Sequence, residues 1–127
     1  MKFLYEIEDC IAGIVVGALI LSPLLIEIPY SSIVFPLAFG MFIVFNILDI
    51  IQCTKDFKGY AKLCTLSIAA NILDIAINTA FLSKLLSVNI PFITSNITPL
   101  ITPTSEIVIG VYYIISNLWW ISTYKKK

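Results

Sequence analysis

LCTLSIAANILDIAINTAFLS, residues Leu63 to Ser83, decides the architecture. It is 21 residues long and holds a single charge, Asp74. A hydrocarbon core of about 30 Å takes about 20 mostly apolar residues wound as a helix, so the run is long enough to span one. Within it and just beyond, Cys64, Ser67, Asn71, Asp74, Asn78, Phe81 and Leu85 recur at alternating spacings of 3 and 4. That periodicity collects them on one stripe of a helix. The remaining positions are mostly Ile, Leu and Ala. Aliphatic flanks around a polar stripe invert the pattern of a soluble helix and suit lipid outside with polar partners inside.

Three further runs read the same way. Cys10 to Ile26 has 17 residues without a charge, Ile33 to Ile51 has 19 with only Asp49, and Ile107 to Tyr124 has 18 with none. Their seams are Cys10, Gly13, Gly17, Ile20, Leu24 and Glu27; then Phe35, Phe39, Phe42, Asn46, Asp49 and Cys53; then Glu106, Gly110, Tyr113, Asn117, Trp120 and Tyr124. The composition agrees. Hydrophobic residues are 59% of the 127 and charged residues 13%, with a mean hydropathy of +0.98, whereas a soluble domain carries about 25% charged residues. The expectation is an all-α integral membrane protein. It is a single membrane domain over residues 1–127, with four transmembrane helices at about 10–26, 33–51, 63–83 and 107–124 packed as an antiparallel bundle. The first run is expected to be a retained span, because Glu6, Glu8 and Asp9 stand where a cleavable signal would be basic.

Lysine placement sets the expected orientation. With the N-terminus inside, Lys2, Lys55, Lys58, Lys62, Lys125, Lys126 and Lys127 are cytoplasmic and Lys84 alone is outside; positive residues favour the cytoplasmic side. Both termini are therefore expected in the cytoplasm, with Trp119, Trp120 and Tyr124 at the inner headgroups. Cys10, Cys53 and Cys64 fall at the same interface and read as reduced thiols. Lys55, Lys58 and Lys62 offer a contact for anionic lipid. The outer loop, about 87–106, contains Pro91, Pro99 and Pro103, which argues against regular helix. Its Pro91-Phe92-Ile93 and Pro99-Leu100-Ile101 segments are apolar enough to lie on the membrane or dip back into the protein. Asn96-Ile97-Thr98 fits the N-glycosylation pattern.

Missing residue types exclude much chemistry. The chain has no His and no Arg, which removes imidazole bases, His-ligated metals, arginine clamps and Arg-based voltage sensors. A net charge of zero without a basic patch speaks against nucleic acid. No cofactor and no metal site are indicated.

Asn46-Ile47-Leu48-Asp49-Ile50 in the second span reappears as Asn71-Ile72-Leu73-Asp74-Ile75 in the third. Spans of opposite direction present such copies in inverted order, as transporter repeats do. Asp74 is expected near the midplane, with Asn71 and Asn78 on the same face as donors to its carboxylate, and an intramembrane carboxylate commonly marks an ion or proton path. The candidate ion or proton site is therefore Asp74, Asn71, Asn78, Asn46 and Asp49, with Glu27 and Glu106 at the pathway mouth. Lys84, ten residues beyond Asp74 and so about 15 Å further along the helix, is expected to reach the outer interface. Gly13, Gly17, Gly110 and Asn117 are the expected helix-packing residues, and Pro23 is expected to kink the first span.

Phe45-Asn46-Ile47-Leu48-Asp49 resembles the F-N-x-x-D segment of signal peptidase II, another small four-span family. The likeness covers five residues. That family's other catalytic aspartate lies in an earlier G-N-x-x-D-R motif, whereas Asn71 to Asp74 comes later and is followed by Ile75. The resemblance implies an aspartyl-type peptidase working through paired carboxylates. The residues themselves favour an oligomeric cation- or proton-linked channel or transporter, with lipid, a second copy and a monovalent cation or proton as partners. The alternative is a non-catalytic structural or accessory membrane subunit, including a virus-coat type, whose polar seam only holds helices together.

Overall fold

The computed structural model describes residues 4–22, 31–55, 58–59 and 61–125, and every regular element among them is helical. Helix α1 runs Leu4–Leu21, α2 Ser31–Lys55, α3 Ala61–Leu86 and α4 Pro103–Lys125. Between α3 and α4 lie a π-type turn, Ile93–Ile97, and a 3-10 turn, Thr98–Leu100. Pro23, Leu24 and Glu27 fall outside the described residues. Pro36 lies inside α2, which continues past it.

Among the described residues, two helices are long and apolar enough to cross a membrane, Ile33–Lys55 of α2 and Ala61–Leu86 of α3. A third candidate arises if the short turns and α4, bent by 88° at their junction, count as one span. The described apolar part of α1, Asp9–Leu21, is shorter.

The seams face inward. In α3 the buried residues include Cys64, Ser67, Asn71, Asp74, Asn78 and Phe81, while Leu85, at the end of the expected stripe, is exposed. In α2, Phe39, Phe42, Asn46, Asp49 and Cys53 are buried; in α4, Tyr113, Asn117 and Trp120 are. The opposite faces carry exposed aliphatics: Ile33, Leu37, Met41, Val44, Ile47 and Ile51 on α2, and Leu66, Ile72 and Leu73 on α3. Buried amides and carboxylates beneath an aliphatic surface are the arrangement expected where the surrounding solvent is hydrocarbon.

Small residues bring α1 against α4. A Cβ on Gly17 would lie 2.8 Å from the Gly110 carbonyl oxygen, and one on Gly13 would strike the Asn117 amide. Leu21 closes over Gly110. The four residues expected to pack helices thus meet at this one interface. Contacts between α3 and α4 are made instead by long side chains, namely Tyr112 to Asp74, Tyr113 to Asn78 and Lys84 to Glu106.

Helix α3 stops at a left-handed Ser87, φ 53°. The Val88 N–H bonds back to the Ser83 carbonyl at 3.1 Å, a Schellman closure with serine in the place glycine usually takes. The Ser83 hydroxyl donates to the Val88 carbonyl at 2.8 Å and shares a 2.7 Å bond with Thr94. The following segment is not the irregular loop its prolines predict. Its short helical turns fold back over the bundle: Ile93 and Ile97 pack against the core, Ile101 is buried, and the Thr98 hydroxyl reaches the Ala80 carbonyl. Pro103 begins α4 rather than interrupting it, as a residue without an N–H can at a first helical position. Asn96 turns its amide to the Phe92 carbonyl at 2.9 Å.

Candidate functional site

The interior has an apolar half and a polar half. In the apolar half Phe39 stacks on Phe81 with ring centroids 4.9 Å apart, and Phe42 meets Tyr113 edge-on at 5.2 Å. Val16, Ala80 and Ile101 complete that cluster. The other half holds a cavity of about 10 Å³ lined by all four helices: Asp9 and Cys10 from α1, Asp49 from α2, Ser67, Ala70, Asn71 and Asp74 from α3, and Tyr112, Ser116, Asn117 and Trp120 from α4. That volume is room for about one water molecule.

Asp49 is the better satisfied carboxylate. Its Oδ2 accepts from Asn71 Nδ2 at 2.6 Å and Ser67 Oγ at 3.0 Å, and its Oδ1 faces the Cys53 thiol at 3.9 Å. Asp74 accepts from the Tyr112 hydroxyl at 3.4 Å, longer than the roughly 2.5–3.0 Å usual for an O–H donor. The two are 2% and 6% exposed. Among the described residues neither is in an ion pair; the one salt bridge there joins Lys84 to Glu106 at 3.1 Å.

The expected shell of Asp74 is thus rearranged. Asn71 and Asn78 share its face, but Asn71 turns across to Asp49, and Asn78 accepts the Tyr113 hydroxyl at 2.7 Å. Asn46 is fully buried, and neither of its amide atoms has a hydrogen-bond partner among the described residues. Asn117 Nδ2 donates to the Tyr113 carbonyl at 2.6 Å, one turn back on α4. Glu106 lies away from this cavity, at the rim of a separate apolar groove with Phe35, Phe39 and Phe81. Lys84 pairs with it rather than reaching toward Asp74. Glu27 lies outside the described residues.

Asp9, Ser116 and Tyr112 are site residues that the sequence pattern did not single out. Asp9 follows Glu6 and Glu8 in an acidic run, yet it is 5% exposed and lines the cavity. The signal for it was present, since Asp9 lies four residues before Gly13 and so on the same face of α1. Tyr112 adjoins the seam residue Tyr113, and Ser116 follows it one turn later. Among the described residues, no three acidic or thiol side chains converge to hold a metal ion.

Compared with protein-family models, with curated proteins and with solved structures, the chain matches none.

Proposed function

We propose that this chain is a four-span, antiparallel membrane protein with both termini in the cytoplasm. It assembles with copies of itself and moves a proton or a monovalent cation through the Asp49–Asp74 cavity. One observation carries the reading: two carboxylates, each more than nine-tenths buried and without a lysine partner among the described residues, line one water-sized cavity. A carboxylate in hydrocarbon costs about 2.5–3.5 kcal/mol on insertion scales, so one left without a counter-charge is either structural or in use. Asp49, with several donors, is the brace. Asp74, with one long bond, is the group free to exchange its partner.

The antiparallel arrangement is supported by opposite registers. Phe39 pairs with Phe81 while Asp49 pairs with Asn71, and Gly13 meets Asn117 while Leu21 meets Gly110. Assembly is supported by an apolar groove of about 320 Å³ between α1 and α2, lined by Ala12, Val16, Ala38 and Phe45.

The second reading, a structural or accessory subunit, draws on the interhelical bonds of Asn71, Tyr112 and Tyr113, since such bonds also serve as glue between spans. A peptidase would need to admit a peptide backbone, and a one-water cavity does not.

Flux in vesicles separates the two readings. With the purified chain reconstituted in liposomes, Asp74→Asn is expected to abolish cation or proton flux while the oligomer, read by crosslinking, stays intact. Wild-type vesicles without flux, or a variant that loses assembly together with flux, would overturn the transport reading.

A further inference from the structure

The polar column does not end at the carboxylates. Asn46 lies one turn from Asp49 on α2, and Asn78 lies one turn from Asp74 on α3, both toward the aromatic half. Each has no exposed surface. Among the described residues, neither amide atom of Asn46 has a protein partner, and neither does Asn78 Nδ2. Buried polar groups are nearly always paired, and an orphan among them calls for a specific explanation, a polar guest being one. Two donor groups and one acceptor group are therefore left for a guest small enough to enter a packed bundle. The Tyr113 hydroxyl on Asn78 and the edge-on Phe42 ring on Tyr113 border this layer.

We propose that Asn46 and Asn78 hold water that carries protons to Asp74, so that the species moved is the proton rather than a dehydrated metal cation. The inference rests on the transport reading above and names its substrate. A water at this layer donates to Asn46 Oδ1 and accepts from the Asn46 and Asn78 amide N–H groups. When an excess proton arrives along the file, this water passes one proton to an Asp74 carboxylate oxygen and is left neutral, ready for the next. Asp74 then releases the proton to the water-sized cavity it shares with Asp49. The amides neither gain nor lose a proton; they orient the carrier. A metal cation would need several oxygen ligands at once in exchange for its hydration shell, and the cavity has room for about one water. A proton needs only a continuous hydrogen-bonded file.

The test uses the full chain in phosphatidylcholine–phosphatidylglycerol vesicles, with an internal pH dye and a valinomycin-clamped potassium gradient. Asn46→Leu is expected to lose proton flux while resisting detergent-induced unfolding at least as well as wild type, because the replaced amide has no protein partner to lose. Asn46→Ser, small and polar, is expected to keep flux. If Asn46→Leu conducts like wild type while Asp74→Asn does not, this inference falls and the transport reading stands. If Asn46→Leu unfolds more easily, Asn46 has a structural partner and the inference is again overturned. Should wild-type vesicles show no flux, the transport reading fails by itself. Water-edited solid-state NMR on the same vesicles then decides the hydration claim, and an Asn46 side chain that receives no magnetisation from water overturns it.

Discussion

Asn46-Ile47-Leu48-Asp49-Ile50 and Asn71-Ile72-Leu73-Asp74-Ile75 are identical in sequence and both face the bundle interior, but their polar groups are satisfied in opposite senses. In the first copy the aspartate is braced, by Asn71, Ser67 and Cys53, and the asparagine has no partner among the described residues. In the second copy the asparagine is used, as donor to Asp49, and the aspartate keeps one long bond from Tyr112. The cause lies in what each copy faces. Asp49 looks onto α3, whose small Ser67 and short Asn71 approach closely. Asp74 looks toward α4, where a phenol at the end of a long side chain bridges the gap. A five-residue identity therefore sets chemistry and face but not role; the facing helix assigns the role.

Removing the two carboxylates in turn should break the symmetry of the pair most visibly. Asp49→Ala strands the Asn71 and Ser67 donors in the interior. Interhelical hydrogen bonds in membranes average about 0.6 kcal/mol and reach about 1.7, so losing these together should cost about 2 kcal/mol, read from detergent-induced unfolding in bicelles. Asp74→Ala removes one long bond and relieves a buried carboxylate, so its change should stay within about 1 kcal/mol in either direction. Equal losses at the two sites would dissolve the distinction between brace and exchanging group.

The asparagines should rank the other way round. Asn71→Leu deletes the 2.6 Å bond to Asp49 and the 3.3 Å contact with Ser67 Oγ, an expected loss of about 1–1.5 kcal/mol by the same unfolding assay. It should exceed any loss at Asn46. A reversal of that order would mean that the first copy's amide is bound by a partner from another chain.

Much of this was legible in the sequence. The alternation of 3 and 4 marked Cys64, Ser67, Asn71, Asp74 and Asn78 as one buried stripe, because helical periodicity and burial are both local consequences of residue type. Gly13, Gly17, Gly110 and Asn117 were legible as packing residues for the same reason. Which hydrogen bonds form was not. A stripe places Asn71 on the same face as Asp74, but whether its amide turns along its own helix or across to Asp49 depends on interhelical distance and rotation, and a single helix carries neither. Asp9 was obscured by its neighbours Glu6 and Glu8, which give its segment the look of a solvated flank. The prolines of residues 87–106 suggested an irregular loop, but Pro99 and Pro103 stand at the starts of short or long helical segments, where a missing N–H is harmless. The fold-back of Ile93, Ile97 and Ile101 onto the core is a tertiary packing event with no local signature.

The smallest expected difference tests the weakest link of the comparison, the bridge from α4. Tyr113 donates to Asn78 at 2.7 Å and is fully buried, whereas Tyr112 reaches Asp74 at 3.4 Å and is partly buried. Removing each hydroxyl leaves the ring in place, so Phe variants isolate the bonds. Tyr113→Phe should cost about 1 kcal/mol and Tyr112→Phe less than about 0.5, again by unfolding in bicelles. The order follows from bond length and burial, and it bears directly on Asp74. If Tyr112→Phe costs as much as Tyr113→Phe, then Asp74 is held as firmly as Asn78. It would then be a second brace, and the two pentapeptides would differ in partner but not in role.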